Sequence, residues 1–146
     1  MRLLILLLLS FPAFAGITVS GGITERDSEN RKTEVFETSL ERDGWQVAGG
    51  YVGDQGITGD FWYLSGQRMA QKDFGLLAPF FAFGVSVRTW MEGNDESLSS
   101  PVNFSVSLGT DVGPVRIQWR HMSSGGLLSP NQGQNMLLVG WKFGKE

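Results

Sequence analysis

The chain has 146 residues, no cysteine, and 12 basic against 15 acidic side chains, for a net charge of −3. A net acidic chain argues against nucleic acid as a partner, and the lack of cysteine excludes the disulfide framework that staples many small exported domains. No stretch approaches the roughly 20 consecutive apolar residues that a membrane helix needs.

In chain order, the opening "MRLLILLLLSFPAFA" sets one basic residue, Arg2, before an apolar run too short to span a bilayer, and it ends in small residues at Ala13 and Ala15. This pattern predicts a cleaved secretory signal over 1–15 and a single domain over 16–146. Beyond the leader, glycine and aromatics are abundant and apolar residues recur with period two rather than at helical spacing. Eight strands are predicted, at 16–23, 34–42, 45–52, 58–69, 78–90, 101–110, 115–123 and 134–143. An even count suits a closed barrel.

In the fifth strand Phe81, Phe83, Val85 and Val87 oppose Ala82, Gly84, Ser86 and Arg88. In the sixth, Val102, Phe104, Val106 and Leu108 oppose Asn103, Ser105, Ser107 and Gly109. A soluble barrel or sandwich also alternates, with its large apolar groups inward, so the connections must choose. With the N-terminus taken as periplasmic, "TERDSENRK", "GDQGI", "MEGNDESLSS" and "SGGLLSPNQG" fall at one end, mostly longer and polar. "RDG", "AQKDFGLL" and "DVGP" fall at the other, two of them tight turns. That asymmetry belongs to outer-membrane barrels. Trp45 and Trp141 near one rim and Trp90 near the other fit interfacial aromatic belts. The expected fold is therefore all-β, an eight-stranded antiparallel transmembrane β-barrel of outer-membrane type. Arg88, Arg116 and Arg120, with Glu37 and Glu41, fall on its lumen face. An eight-stranded barrel has room there only for packed side chains, so a buried ion-pair network is expected rather than a pore.

The one histidine, His121, follows Val115, Ile117 and Trp119 on the apolar face of the seventh strand. Ser123 shares that face, with its Cα roughly 6.5 to 7 Å away. A symmetric hairpin centred on Leu128 pairs His121 with Asn135 and Ser123 with Gly133. Asn135 has the parity of Leu137, Val139, Trp141 and Phe143, so three polar groups converge at the long-loop end of an apolar wall. A hydroxyl, an imidazole that can take its proton and a third group that orients the ring are the parts of a nucleophilic hydrolase. The same three residues also fit a second reading, as rim residues at headgroup depth, where polar side chains cost little.

The stretch "HMSSGGLLSPNQGQN" resembles the signature of the outer-membrane lipid A 3-O-deacylases (PagL type), of the form H-x-S-N-x-G followed by P-N-x-G-x-E. The resemblance is strongest over Arg120 to Asn135 and extends over the barrel. It implies an outer-membrane esterase that removes the 3-O-linked acyl chain from the lipid A of lipopolysaccharide, with its site at the extracellular side and no metal or other cofactor. His121 falls on the family's catalytic base and Ser123 on its nucleophile, and Pro130, Asn131 and Gly133 match its hairpin. Two positions depart. Ser124 stands where the family has an oxyanion-hole Asn, which leaves the backbone N–H groups of Ser124 and Gly125 as candidate donors. Asn135 stands where the family has the acid that orients the histidine; its amide oxygen can orient the ring but gives the imidazolium less support than a carboxylate. Lipid A and outer-membrane lipid are the expected partners, with a homodimer left open. A non-catalytic small barrel with a structural or adhesion role is the alternative, since fold does not fix function. A soluble periplasmic lipid carrier is a third reading.

Overall fold

The computed structural model describes residues 16–26, 32–53, 60–89, 98, 100–126 and 133–144; the expected leader over 1–15, Trp90, Pro130 and Asn131 lie outside the described residues. The strands are β1 (Gly16–Arg26), β2 (Lys32–Arg42), β3 (Trp45–Val52), β4 (Phe61–Gln71), β5 (Leu77–Arg88), β6 (Val102–Val112), β7 (Val115–Ser123) and β8 (Gln134–Phe143). Each pairs antiparallel with its sequence neighbours, and β1 pairs with β8 to close the barrel. β3, β7 and β8 occupy the expected ranges, while the others start or end a few residues away. Closure removes the free sheet edge, which is what allows strands to stand in an apolar medium with their backbone groups satisfied.

The alternation is turned inside out relative to a soluble barrel. Phe81, Phe83, Val85 and Val87 on β5, Ile117 and Trp119 on β7, and Leu137, Val139, Trp141 and Phe143 on β8 are all exposed. Glu37, Glu41, Gln46, Gln67, Arg116, Gln118 and Arg120 are buried in the lumen. An apolar outer wall around a polar interior is the arrangement of a barrel that meets lipid.

The two ends also differ. β2 and β3 are joined by Asp43 and Gly44, with φ of 50° and 72°; two successive positive φ values make a tight hairpin turn whose twist matches the strands. β4 and β5 are joined by residues 72–76 and β6 and β7 by Gly113 and Pro114, whereas the connections at the opposite end span 27–31, 53–60, 89–101 and 124–133. The expected loop asymmetry is thus present. Under the long-loop end, Val35, Val52, Phe61, Tyr63, Leu98, Met122, Met136 and Leu138 form a buried apolar cluster inside the barrel.

Below that cluster lies the charged interior. Arg116 binds Glu41 and donates from Nε to Asp111 Oδ1 at 2.6 Å. Arg120 binds Glu37 and donates to Gln46 Oε1 at 3.0 Å and Ser107 Oγ at 3.1 Å. The Tyr63 hydroxyl donates to Glu37 Oε2 at 2.5 Å. Lys142 Nζ lies 3.2 Å from Asp111 Oδ2 and 3.3 Å from Glu41 Oε2. Asp111 and Lys142 are members that parity alone did not single out. Arg88 departs from expectation: at the loop end of β5 it binds the backbone carbonyls of Leu98 and Ser100, with its guanidinium over the Phe61 ring. Its position at the end of β5 brings it to the carbonyls of the adjoining loop.

Candidate functional site

The β7–β8 ladder places His121 directly opposite Asn135, as the symmetric hairpin requires, and runs to Met122 opposite Gln134. It stops one step short of the expected Ser123–Gly133 pair. On the other side, β6 sets Val106 opposite His121 and Phe104 opposite Ser123. On β1, the register partner of Asn135 is Glu25. Behind the site, the inward neighbours Met122, Gln134 and Met136 are buried, so the strands that carry it are anchored in the packed lumen.

His121 Nδ1 and Asn135 Oδ1 are 2.9 Å apart. An amide oxygen only accepts, so Nδ1 carries a proton in this arrangement, and in the neutral ring Nε2 is the nitrogen with the lone pair. The imidazole stacks on Trp119, with ring centroids 5.9 Å apart and planes inclined by 17°. Gly133 has φ of 77°, and a Cβ there would sit 2.5 Å from His121 Cε1 and 3.0 Å from Nε2. Glycine is needed on both counts, because the left-handed backbone disfavours any Cβ and the space in front of Nε2 would be filled. Three neighbours therefore hold the ring: a hydrogen bond at Nδ1, an indole on one face, and a bare backbone beside the Nε2 edge.

Ser123 ends β7 and is half-buried. Gly125 N donates to its Oγ at 3.4 Å, while among the described residues no hydrogen bond joins Ser123 Oγ to the His121 ring. Ser124 is buried, so its hydroxyl is not on the outer wall and its contribution there is limited to its backbone N–H. Gly125 and Gly126 follow with φ of 65° and 78°, and a Cβ on Gly125 would meet the Phe104 ring at 2.9 Å. Phe104 in turn stacks on Phe83, with centroids 6.3 Å apart. The polar trio thus borders a wall of Trp119, Val106, Phe104 and Phe83. Sequence reasoning left Trp119 and Phe104 as ordinary lipid-facing residues. The same-face spacing from Trp119 to His121 was the available signal for the first. For Phe104 it was the two-residue turn at Gly113 and Pro114, which sets the β6–β7 register. Among the described residues, no three His, Cys, Asp or Glu side chains group as metal ligands.

The barrel is similar to the crystal structure of the outer membrane enzyme PagL, with a TM-score of 0.63 and 16% identity over 88% of this chain and 99% of that one. It is also similar to Neisserial surface protein A (NspA), with a TM-score of 0.58 and 10% identity over 87% of this chain and 93% of that one. The fold is that of an outer-membrane barrel. No family model matches the chain, and no curated protein sequence matches it. One neighbour is an enzyme and the other a surface protein, so the shared barrel leaves the chemistry to the side chains.

Proposed function

We propose that this barrel is an outer-membrane ester hydrolase that removes the 3-O-linked acyl chain from the lipid A of lipopolysaccharide. The observation that carries the reading is the Nδ1–Oδ1 hydrogen bond from His121 to Asn135, on a lipid-facing wall two residues from a serine. It selects, for the neutral imidazole, the tautomer whose Nε2 can act as a base. The resemblance of "HMSSGGLLSPNQGQN" to the deacylase signature supplies the substrate class. In this reading residues 1–15 are a secretory signal, residues 16–146 form the single barrel domain, and the long-loop end faces the cell exterior. A lipid would then approach sideways, its acyl chain along Trp119, Val106 and Phe104 and its ester at the rim.

The chemistry follows from the three groups. Ser123 Oγ attacks the ester carbonyl carbon while His121 Nε2 takes its proton. The backbone N–H groups of Ser124 and Gly125 are the donors for the tetrahedral oxyanion, and that of Gly125 must turn from Ser123 Oγ to the substrate's carbonyl oxygen to serve. Collapse breaks the bond to the sugar oxygen, which leaves with the proton held on Nε2. Water, deprotonated by the same base, then releases the fatty acid and restores Ser123. Asn135 keeps the ring in the productive tautomer throughout.

The test is the lipid A mass spectrum after incubating the refolded barrel with lipopolysaccharide. Loss of one hydroxyacyl chain is expected with the native chain and not with Ser123→Ala; the same loss with Ser123→Ala overturns the mechanism. The second reading is a non-catalytic surface barrel, which the Gly125 hydrogen bond on Ser123 Oγ and the likeness to NspA favour. An unchanged lipid A mass selects it. Failure to float with outer membranes on a density gradient would favour a soluble carrier over both.

A further inference from the structure

We propose that Trp119 is the positioning residue that replaces a carboxylate in this site: its indole face holds the His121 ring and supports the positive charge that ring acquires as it takes the serine proton. The inference rests on the hydrolase reading, and it explains how a site with a neutral orienter can work. Asn135 supplies geometry through its 2.9 Å contact with Nδ1 but carries no charge to match an imidazolium. Among the described residues, no ion pair is formed by His121. What the ring does have is the indole of Trp119, 5.9 Å away between centroids and nearly parallel at 17°. A cation over an aromatic face within about 6 Å is attracted by the ring quadrupole, most strongly by Trp, and the attraction grows where water is excluded. Trp119 stands on the apolar outer wall beside Leu137 and Leu108 in register, so the indole side of the pair borders apolar side chains. The stabilisation appears only when the imidazole is charged, during proton transfer, so it acts on turnover and not on substrate binding.

The geometry is also selective. Trp119 precedes His121 by two residues on one strand, so their side chains leave the same face and a stack forms without any long-range element. Gly133, lacking a Cβ, lies beside the Cε1 and Nε2 edge of the ring.

The experiment is a double-mutant cycle on the full barrel in lipopolysaccharide-containing micelles, with kcat and KM for acyl release measured separately. Trp119→Leu is expected to lower kcat about tenfold with KM unchanged within about twofold, and Trp119→Phe to retain most of the activity. In an Asn135→Asp background, which supplies the missing charge, Trp119→Leu should cost only about twofold to threefold. Equal losses in both backgrounds, or a rise in KM alone, overturn the proposal, because a merely structural role predicts additivity. Glu25→Gln is the competing arm. A larger loss of kcat there than in Trp119→Leu would assign the charge support to the register partner of Asn135 instead. A second readout is independent of turnover. His121 is the one histidine in the chain, so its Cε1 proton gives a single resonance, which the stacked indole shields. Trp119→Leu should move that resonance downfield in barrels that remain folded by gel mobility. An unmoved resonance removes the stack and the proposal with it. If the native barrel releases no acyl chain, the hydrolase reading and the catalytic role of Trp119 fall together, while the resonance still reports whether the ring is held.

Discussion

On β7 the inward side chains Arg116 and Arg120 and the outward pair His121 and Ser123 are separated by little more than the thickness of a strand, yet their surroundings are opposite. Inside, Glu37, Glu41 and Asp111 meet Arg116, Arg120 and Lys142, so charge is matched where water is scarce. Such pairs add little net stability over an apolar filling, but removing one partner strands a buried charge. Outside, His121 is hydrogen-bonded to the uncharged amide of Asn135 on an apolar wall. A neutral hydrogen bond contributes only about 1 kcal/mol net, no more than a leucine or valine would contribute by meeting lipid there. The lumen's charges are accounted for by closing and filling the barrel, whereas the polar pair on the wall takes no part in that filling, and the proposed hydrolysis assigns it a role.

Four substitutions break or sharpen that contrast. The largest effect expected on the outer wall is that of Ser123→Ala, with acyl release reduced by at least about a thousandfold, or ~4 kcal/mol. Its unfolding midpoint in urea should match the native barrel's. The mirror case is Arg116→Met in the lumen, which leaves Glu41 and Asp111 short of a partner. It should destabilise the barrel by about 3 to 5 kcal/mol, read as a lower urea midpoint, and Glu41→Met in the same chain should recover part of that loss. Gly133→Ala is smaller and cuts the other way. The displaced imidazole should lower kcat about tenfold to a hundredfold, with about 1 to 3 kcal/mol of backbone strain in the folding equilibrium. Least is expected of Tyr63→Phe, which removes the hydrogen bond to Glu37 and should cost about 1 to 2 kcal/mol of stability, with acyl release unaltered. A loss of activity in Tyr63→Phe out of proportion to its loss of fold would mean that the interior and the wall are not separate.

Much of the site was legible from residue order because strand geometry is local. The positions of His121, Ser123 and Asn135 on one face follow from period two, and the His121–Asn135 pairing follows from assuming the hairpin symmetric about Leu128, which the register matches. The ladder's end before Ser123 was not legible, since the glycines at 125, 126 and 133 with positive φ turn the chain away. The inward placement of Ser124 agrees with parity, but it confines that residue to a backbone role that the signature alone does not reveal. Arg88 shows the limit most clearly. Its parity places it on the lumen side with Arg116 and Arg120, yet its height at the end of β5 gives it the carbonyls of Leu98 and Ser100.

The sequence by itself determined the strands, the sense of their alternation, the uneven connections and the shared face of the polar trio, because each depends on neighbours a few residues apart. Only the closed barrel decided which side chains meet across the lumen, such as Arg116 with Glu41 and Arg120 with Glu37, 75 and 83 residues apart in the chain. Rotamer choice on a single strand, by contrast, sets the near-parallel approach of the His121 and Trp119 rings. A pleated strand fixes the face on which a side chain emerges; strand stagger, closure and rotamer choice fix what that side chain touches.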